Sequence, residues 1–207
     1  MKNKKLLLLV LLLLITISVV GGISVAVFTF VGEGNTNNII ETGKISFSYS
    51  DALQKGNGIY IEEAVPLKDS EGVLLSNENE YFDFSVTAST TSTDMGYEIV
   101  VRKEDGSTLD DDKVKIYLTE LDGGVEKAVP LMSGVIPTYN ELKNTTNSLL
   151  TGKTVYFGSV KAGEVAYGKR FRLRMWIKYP ENDEFSYEDL YSKTYKVRVN
   201  VAALGSN

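Results

Sequence analysis

Phe171-Arg172-Leu173-Arg174-Met175-Trp176-Ile177 decides the reading of this chain. Its apolar members Phe171, Leu173, Met175 and Ile177 recur at every second position, so an extended chain places them on one face and Arg172, Arg174, Trp176 and Lys178 on the other. A helix would scatter the same residues around its axis. The stretch therefore predicts a β-strand with one face in a core and the other toward solvent.

The same period appears elsewhere. Tyr195, Val197, Val199 and Val201 alternate with Lys196, Arg198 and Asn200, and Ile45, Phe47 and Tyr49 alternate with Lys44, Ser46 and Ser48. Further strands are predicted over 81–86, 97–101, 114–118 and 154–160, where aromatic and β-branched residues concentrate. Asp105-Gly106, Asp122-Gly123 and Thr151-Gly152-Lys153 supply turn chemistry near their ends. Seven to nine strands with no recurring helix between them predict an all-β fold, an antiparallel β-sandwich. One short helix is expected over 138–150, where Tyr139, Leu142, Leu149 and Leu150 are loosely helical in spacing.

Composition narrows the chemistry. The chain contains no cysteine and no histidine. Disulfides, thiolate metal sites, thiol nucleophiles and the Ser/His/Asp triad are thereby excluded, together with the commonest metal ligand. Lys and Arg number 22 against 27 Asp and Glu, a formal charge of -5. A nucleic-acid partner is not expected, because such binding needs a basic footprint. No cofactor and no enzymatic activity are expected either.

The N-terminus is a targeting segment. Met1 to Lys5 is basic, residues 6–20 are nearly all Leu, Val and Ile, and Ser24 and Ala26 place small side chains at the -3 and -1 positions of a cut after Ala26. Uncharged residues also run on from Leu6 to Val31, long enough at about 1.5 Å each to cross a ~30 Å hydrocarbon layer as an uncleaved anchor helix. Both alternatives, signal peptide or membrane anchor, keep Lys2, Lys4 and Lys5 in the cytoplasm and place the rest outside. The expected localisation is extracellular or at the cell surface. Residues 1–26 are thus read as signal peptide or anchor, 27–38 as a short apolar strand plus polar linker, and 39–207 as the sandwich domain.

Gly21-Gly22-Ile23-Ser24-Val25-Ala26-Val27-Phe28 resembles the end of the signal segment in the TasA/camelysin family of Gram-positive surface and biofilm-matrix fibre proteins. Asn38-Ile39-Ile40-Glu41-Thr42-Gly43-Lys44-Ile45-Ser46-Phe47 is similar to that family's first strand. The resemblance covers about residues 1–50. It implies processing by a dedicated signal peptidase, a jelly-roll-like sandwich, and self-association into fibres in which an N-terminal strand enters the next subunit. The metalloprotease activity ascribed to some members does not carry over, since a His-Glu-x-x-His site needs histidine.

Three sets of residues are candidates for function. Val27, Phe28, Thr29, Phe30 and Val31 have high β-propensity and, after a cut at Ala26, form a free end suited to complete a neighbour's sheet. Arg172, Arg174 and Trp176, with Lys196 and Arg198, would form one basic partner-binding stripe if their strands pair. Asp110 and Asp112 offer oxygen ligands to calcium, although their spacing is that of a charged loop rather than of an EF-hand. The expected function is a cell-surface structural protein, a subunit or accessory component of an extracellular fibre or biofilm matrix that partners itself or a related surface protein. The alternative is a membrane-anchored, adhesin-like binding module recognising a glycan or protein.

Overall fold

The computed structural model describes residues 43–49, 58–62, 64–77, 80–90, 94–148, 150–163, 168–181 and 185–204. Nine strands fill most of them: β1 (Gly43–Tyr49), β2 (Gly58–Glu62), β3 (Tyr81–Thr90), β4 (Met95–Lys103), β5 (Val114–Asp122), β6 (Val125–Ala128), β7 (Lys153–Val160), β8 (Lys169–Ile177) and β9 (Thr194–Leu204). A single-turn helix, α1 (Asp69–Gly72), lies between β2 and β3. No helix among the described residues is long and apolar enough to cross a membrane.

The strands form two sheets, one ordered β1-β3-β8-β5-β6 and the other β2-β9-β4-β7. All ladders are antiparallel. β5 pairs β6, β4 pairs β7, β3 pairs β8 and β2 pairs β9, so eight strands nest as one long hairpin whose successive layers alternate between sheets. That nesting is a jelly roll, with β1 added outside β3. The innermost hairpin turns at Gly123-Gly124, both at positive φ (55° and 88°), which a two-residue turn of the right hand demands.

The inward faces make a single core. Phe171, Leu173, Tyr195, Val199, Val201, Ile99 and Ile116 are each fully shielded, and each such side chain contributes about 1.5–3 kcal/mol by leaving water. Phe84 bridges Phe82 and Phe171 at ring-centroid distances of 5.7 and 5.5 Å, and Tyr156 joins Phe171 at 5.1 Å. Alternation in β8 and β9 thus places the residues on the faces that the sequence predicts.

Two expectations are corrected. Residues 138–148 and 150, where a helix is expected, form turns and bridges instead. Thr138 does receive the helix-start contact, its backbone N–H donating to Glu141 Oε2 at 2.7 Å. The following Asn144-Thr145-Thr146-Asn147-Ser148 run, however, consists of poor helix formers that compete for backbone groups. The segment instead folds back on β7, Thr145 N–H donating to Gly152 O and Thr154 N–H to Lys143 O. The second correction concerns neighbours: β8 lies between β3 and β5, whereas β9 lies between β2 and β4 in the other sheet.

Candidate binding cleft

The separation of β8 from β9 dissolves the single basic stripe. Arg172, Arg174 and Trp176 point outward from the five-stranded sheet, and Lys196 and Arg198 from the four-stranded one. Trp176 is covered by α1 and is 2% exposed. Arg174 is also buried, donating to Leu75 O at 2.6 Å and pairing with Glu126 at 2.5 Å. Arg172 forks onto Asp83 at 2.7 and 2.8 Å and lies 3.8 Å over the Tyr81 ring. Arg198 meets Glu104 at 3.0 Å. Internal carboxylates therefore answer three of the stripe's cations. Of its five members only Lys196 is exposed.

Asp110 and Asp112 flank and enter a 3-10 turn, Asp111–Lys113. Asp110 pairs with Lys113 at 2.9 Å, and the bond from that ammonium holds its carboxyl below the usual range. No group of three or more acidic side chains placed to hold a metal ion occurs among the described residues. Ser24, Ala26 and the candidate donor strand Val27 to Val31 lie outside the described residues.

A feature that the sequence reading missed lies past the pair Glu62–Thr194, where β2 ends and β9 begins. A cleft of about 570 Å³ is lined by Ala64, Val65 and Pro66, which follow β2 in sequence, together with Tyr187, Leu190, Tyr191 and Ser192, which precede β9. Leu190 is buried. Tyr187, Tyr191 and Val65 keep 50%, 73% and 66% of their surface exposed, an unusual outlay of aromatic and apolar area. The rings are presented by a short 3-10 helix, Tyr187–Leu190. Asp189 fastens its start, accepting from the Ser186 N–H at 2.9 Å and hydroxyl at 3.1 Å, and the backbone bond holds the Asp189 carboxyl below its ordinary range. Ser192 then takes a left-handed φ of 57°, turning the chain into β9.

Among the described residues, no charged side chain lines this cleft. Its chemistry is two aromatic faces with phenol rims, a serine hydroxyl and aliphatic walls, which suits contact with a flat or apolar face bearing polar edges. The available signal in the sequence was the crowding of Tyr179, Phe185, Tyr187 and Tyr191 into one β8–β9 connection.

The cleft also has a direction. β1 starts at Gly43 opposite Thr90, at the end where β3 passes to β4 and where β9 finishes opposite Gly96. The cleft lies where β9 starts. The 11 residues of β9 separate the two ends, roughly 36 Å at about 3.3 Å per residue.

No family model matches the chain, and no curated protein matches it. Among solved structures, the CBM22-2 xylan-binding domain from Paenibacillus barcinonensis Xyn10C is 8% identical with a TM-score of 0.21, over 84% of this chain and 99% of that one. A GH31 alpha-xylosidase from Xanthomonas citri is 7% identical with a TM-score of 0.23, over 86% of this chain and 23% of that one. Likenesses at these scores carry no argument about what this chain does.

Proposed function

We propose that this chain is an exported cell-surface protein, tethered or released at its N-terminus, whose jelly roll is a binding module that contacts a glycan or protein through the Tyr187–Tyr191 cleft. The observation that carries this reading is polarity: the chain enters the domain at the Gly43 end, and the cleft opens at the other. A segment that stays in the membrane would then hold the cleft outward, at the distance from the lipid where an envelope polymer or a neighbouring cell is met. The described lining, two tyrosines, a serine and aliphatic residues, favours recognition by aromatic stacking and hydroxyl contacts.

The test is binding of the purified full chain, in non-ionic detergent, to arrays of surface glycans and envelope proteins, with Tyr187→Ala/Tyr191→Ala as control. Loss of at least tenfold in affinity at unchanged thermal midpoint is expected. Equal binding by the double variant would reject the cleft.

A fibre subunit is the second reading, and one observation favours it. β7 is the outermost strand of its sheet, and Phe157 on it is 50% exposed. Such an edge is a template for an added strand, which Val27 to Val31 of another copy would supply after cleavage at Ala26. Deleting those five residues is expected to leave folded monomers without filaments in electron micrographs.

A further inference from the structure

The outer edge of β7 is occupied at its start. Asn144 bridges Lys153, with the Thr145 N–H donating to Gly152 O and the Thr154 N–H to Lys143 O. The strand then bulges: Thr154 sits opposite Val100 and Tyr156 opposite Ile99, with Val155 as the extra residue between them. From Tyr156 to Val160 the ladder to β4 is regular, and among the described residues no backbone bond reaches the far edge of those five. Charge does not defend this edge either. Each other outermost strand contains a charged residue, Lys44 in β1, Glu62 in β2 and Glu126-Lys127 in β6, the usual device against strand addition, whereas Tyr156 to Val160 contains none.

The open run is complementary to itself. Tyr156 and Val160 belong to the core, and Gly158 lies under the Tyr97 ring, where a Cβ would come within 2.2 Å of a ring carbon. Phe157 and Ser159 are exposed on the outward face. The pattern inward-outward-inward-outward-inward reads the same in both directions. A closed pair of identical chains needs a two-fold axis. Only an axis perpendicular to the sheet continues the ladder with inward residues beside inward ones, and it sets the two strands antiparallel.

We propose that this edge is a self-association surface, on which β7 of a second copy pairs antiparallel about a two-fold axis at Gly158. Tyr156 then faces the second copy's Val160, Phe157 its Ser159, and Gly158 its Gly158. Registers shifted by one residue set inward side chains against outward ones. The shift by two in one direction sets Lys153 against the second copy's Lys161 and runs into the edge that residues 143–145 cover, and in the other direction it leaves Tyr156 unpaired. Five residues a side is a small contact beside the roughly 20–30 of a standard interface, so the pairing is reversible and grows with local concentration. The axis also reverses the strand, so the two clefts face opposite ways. On the reading that the Gly43 end is held toward the lipid, paired copies are released chains or chains on facing membranes, while the pairing itself does not rest on what the cleft binds.

The experiment uses full chains in non-ionic detergent carrying Phe157→Cys or Ser159→Cys, each the sole thiol of its chain. Residues directly opposite in an antiparallel ladder lie within disulfide reach, whereas two Phe157 positions, offset by two residues, stand about 8 Å apart, beyond it. Mild oxidation of the mixed variants is therefore expected to give a covalent dimer that neither variant gives alone. Phe157→Lys is expected to weaken dimerisation at least tenfold in sedimentation at unchanged thermal midpoint, since a lysine guards the edge. No covalent dimer from the mixture, or equal yields from the single variants, would overturn the proposal. A dimer that folded Phe157→Lys leaves intact would overturn it equally, because the contact then lies elsewhere, and filaments that need Val27 to Val31 would assign the edge to that segment instead. Cleft binding by Tyr187→Ala/Tyr191→Ala is read separately, so neither result depends on the other.

Discussion

Gly72 lies so close to the indole of Trp176 that a Cβ on it would stand 2.2 Å from Cε2. The contact explains how an aromatic residue on the outward face of β8 is shielded as well as any core residue. Gly72→Ala is expected to lower stability by about 1–3 kcal/mol, the usual cost of forcing an extra methyl into a packed site. Gly134→Ala, where a Cβ meets nothing within 4 Å, serves as control. Urea unfolding of the two variants measures the difference.

Glu126 and Arg174 set the acid response of the five-stranded sheet. The Arg174 bond, assisted by Arg172, holds the Glu126 carboxyl below its ordinary 4.5. A depressed folded value means that the contribution is complete above the unfolded value and is lost as pH falls through the folded one. Stability is therefore expected to fall below about pH 4.5. Glu126→Gln should flatten that arm and, by leaving the buried Arg174 without its carboxylate, cost about 1.5–3 kcal/mol at neutral pH. Urea midpoints between pH 7 and pH 3 check both statements.

The alternation of Phe171 to Ile177 and of Tyr195 to Val201 made the faces of β8 and β9 legible, because period two reports which side is buried. It does not report which strand is adjacent, and the nesting that separates β8 from β9 is a property of the whole chain. β6 escaped notice for a physical reason: Val125-Glu126-Lys127 is exposed throughout, so it carries no alternation. β2 escaped because its five residues, Gly58–Glu62, carry little pattern beyond Ile59 and Ile61. The cleft was not legible at all, since tyrosines in a connection declare neither exposure nor partner.

Tyr97, Tyr139 and Tyr195 should titrate late. Burial pushes all three phenols above their ordinary 10.0, and the Asp111 carboxylate accepting the Tyr195 hydroxyl at 2.9 Å adds to its rise. Raised folded values favour the fold below pH 10 and withdraw that support above it. Absorbance titration at alkaline pH is expected to show a fraction of the 12 tyrosines ionising only together with loss of far-ultraviolet strand signal. Tyr195→Phe should shrink that late fraction by one residue.

Export and polarity can be tested together because the chain has no cysteine of its own. Tyr191→Cys places one thiol at the cleft, on a residue that is 73% exposed, and Lys161→Cys places one beside the β7 end near Thr90, where β1 also begins. If the domain is exported as proposed, a membrane-impermeant maleimide is expected to label both variants on intact cells. With maleimides carrying polymers of increasing length, an anchored chain should exclude the larger reagents from the Lys161→Cys thiol first, because that end is held toward the lipid, while a released chain should show no such difference. Absence of labelling at either position on intact cells, with full labelling after lysis, would place the domain on the cytoplasmic side and end the surface reading.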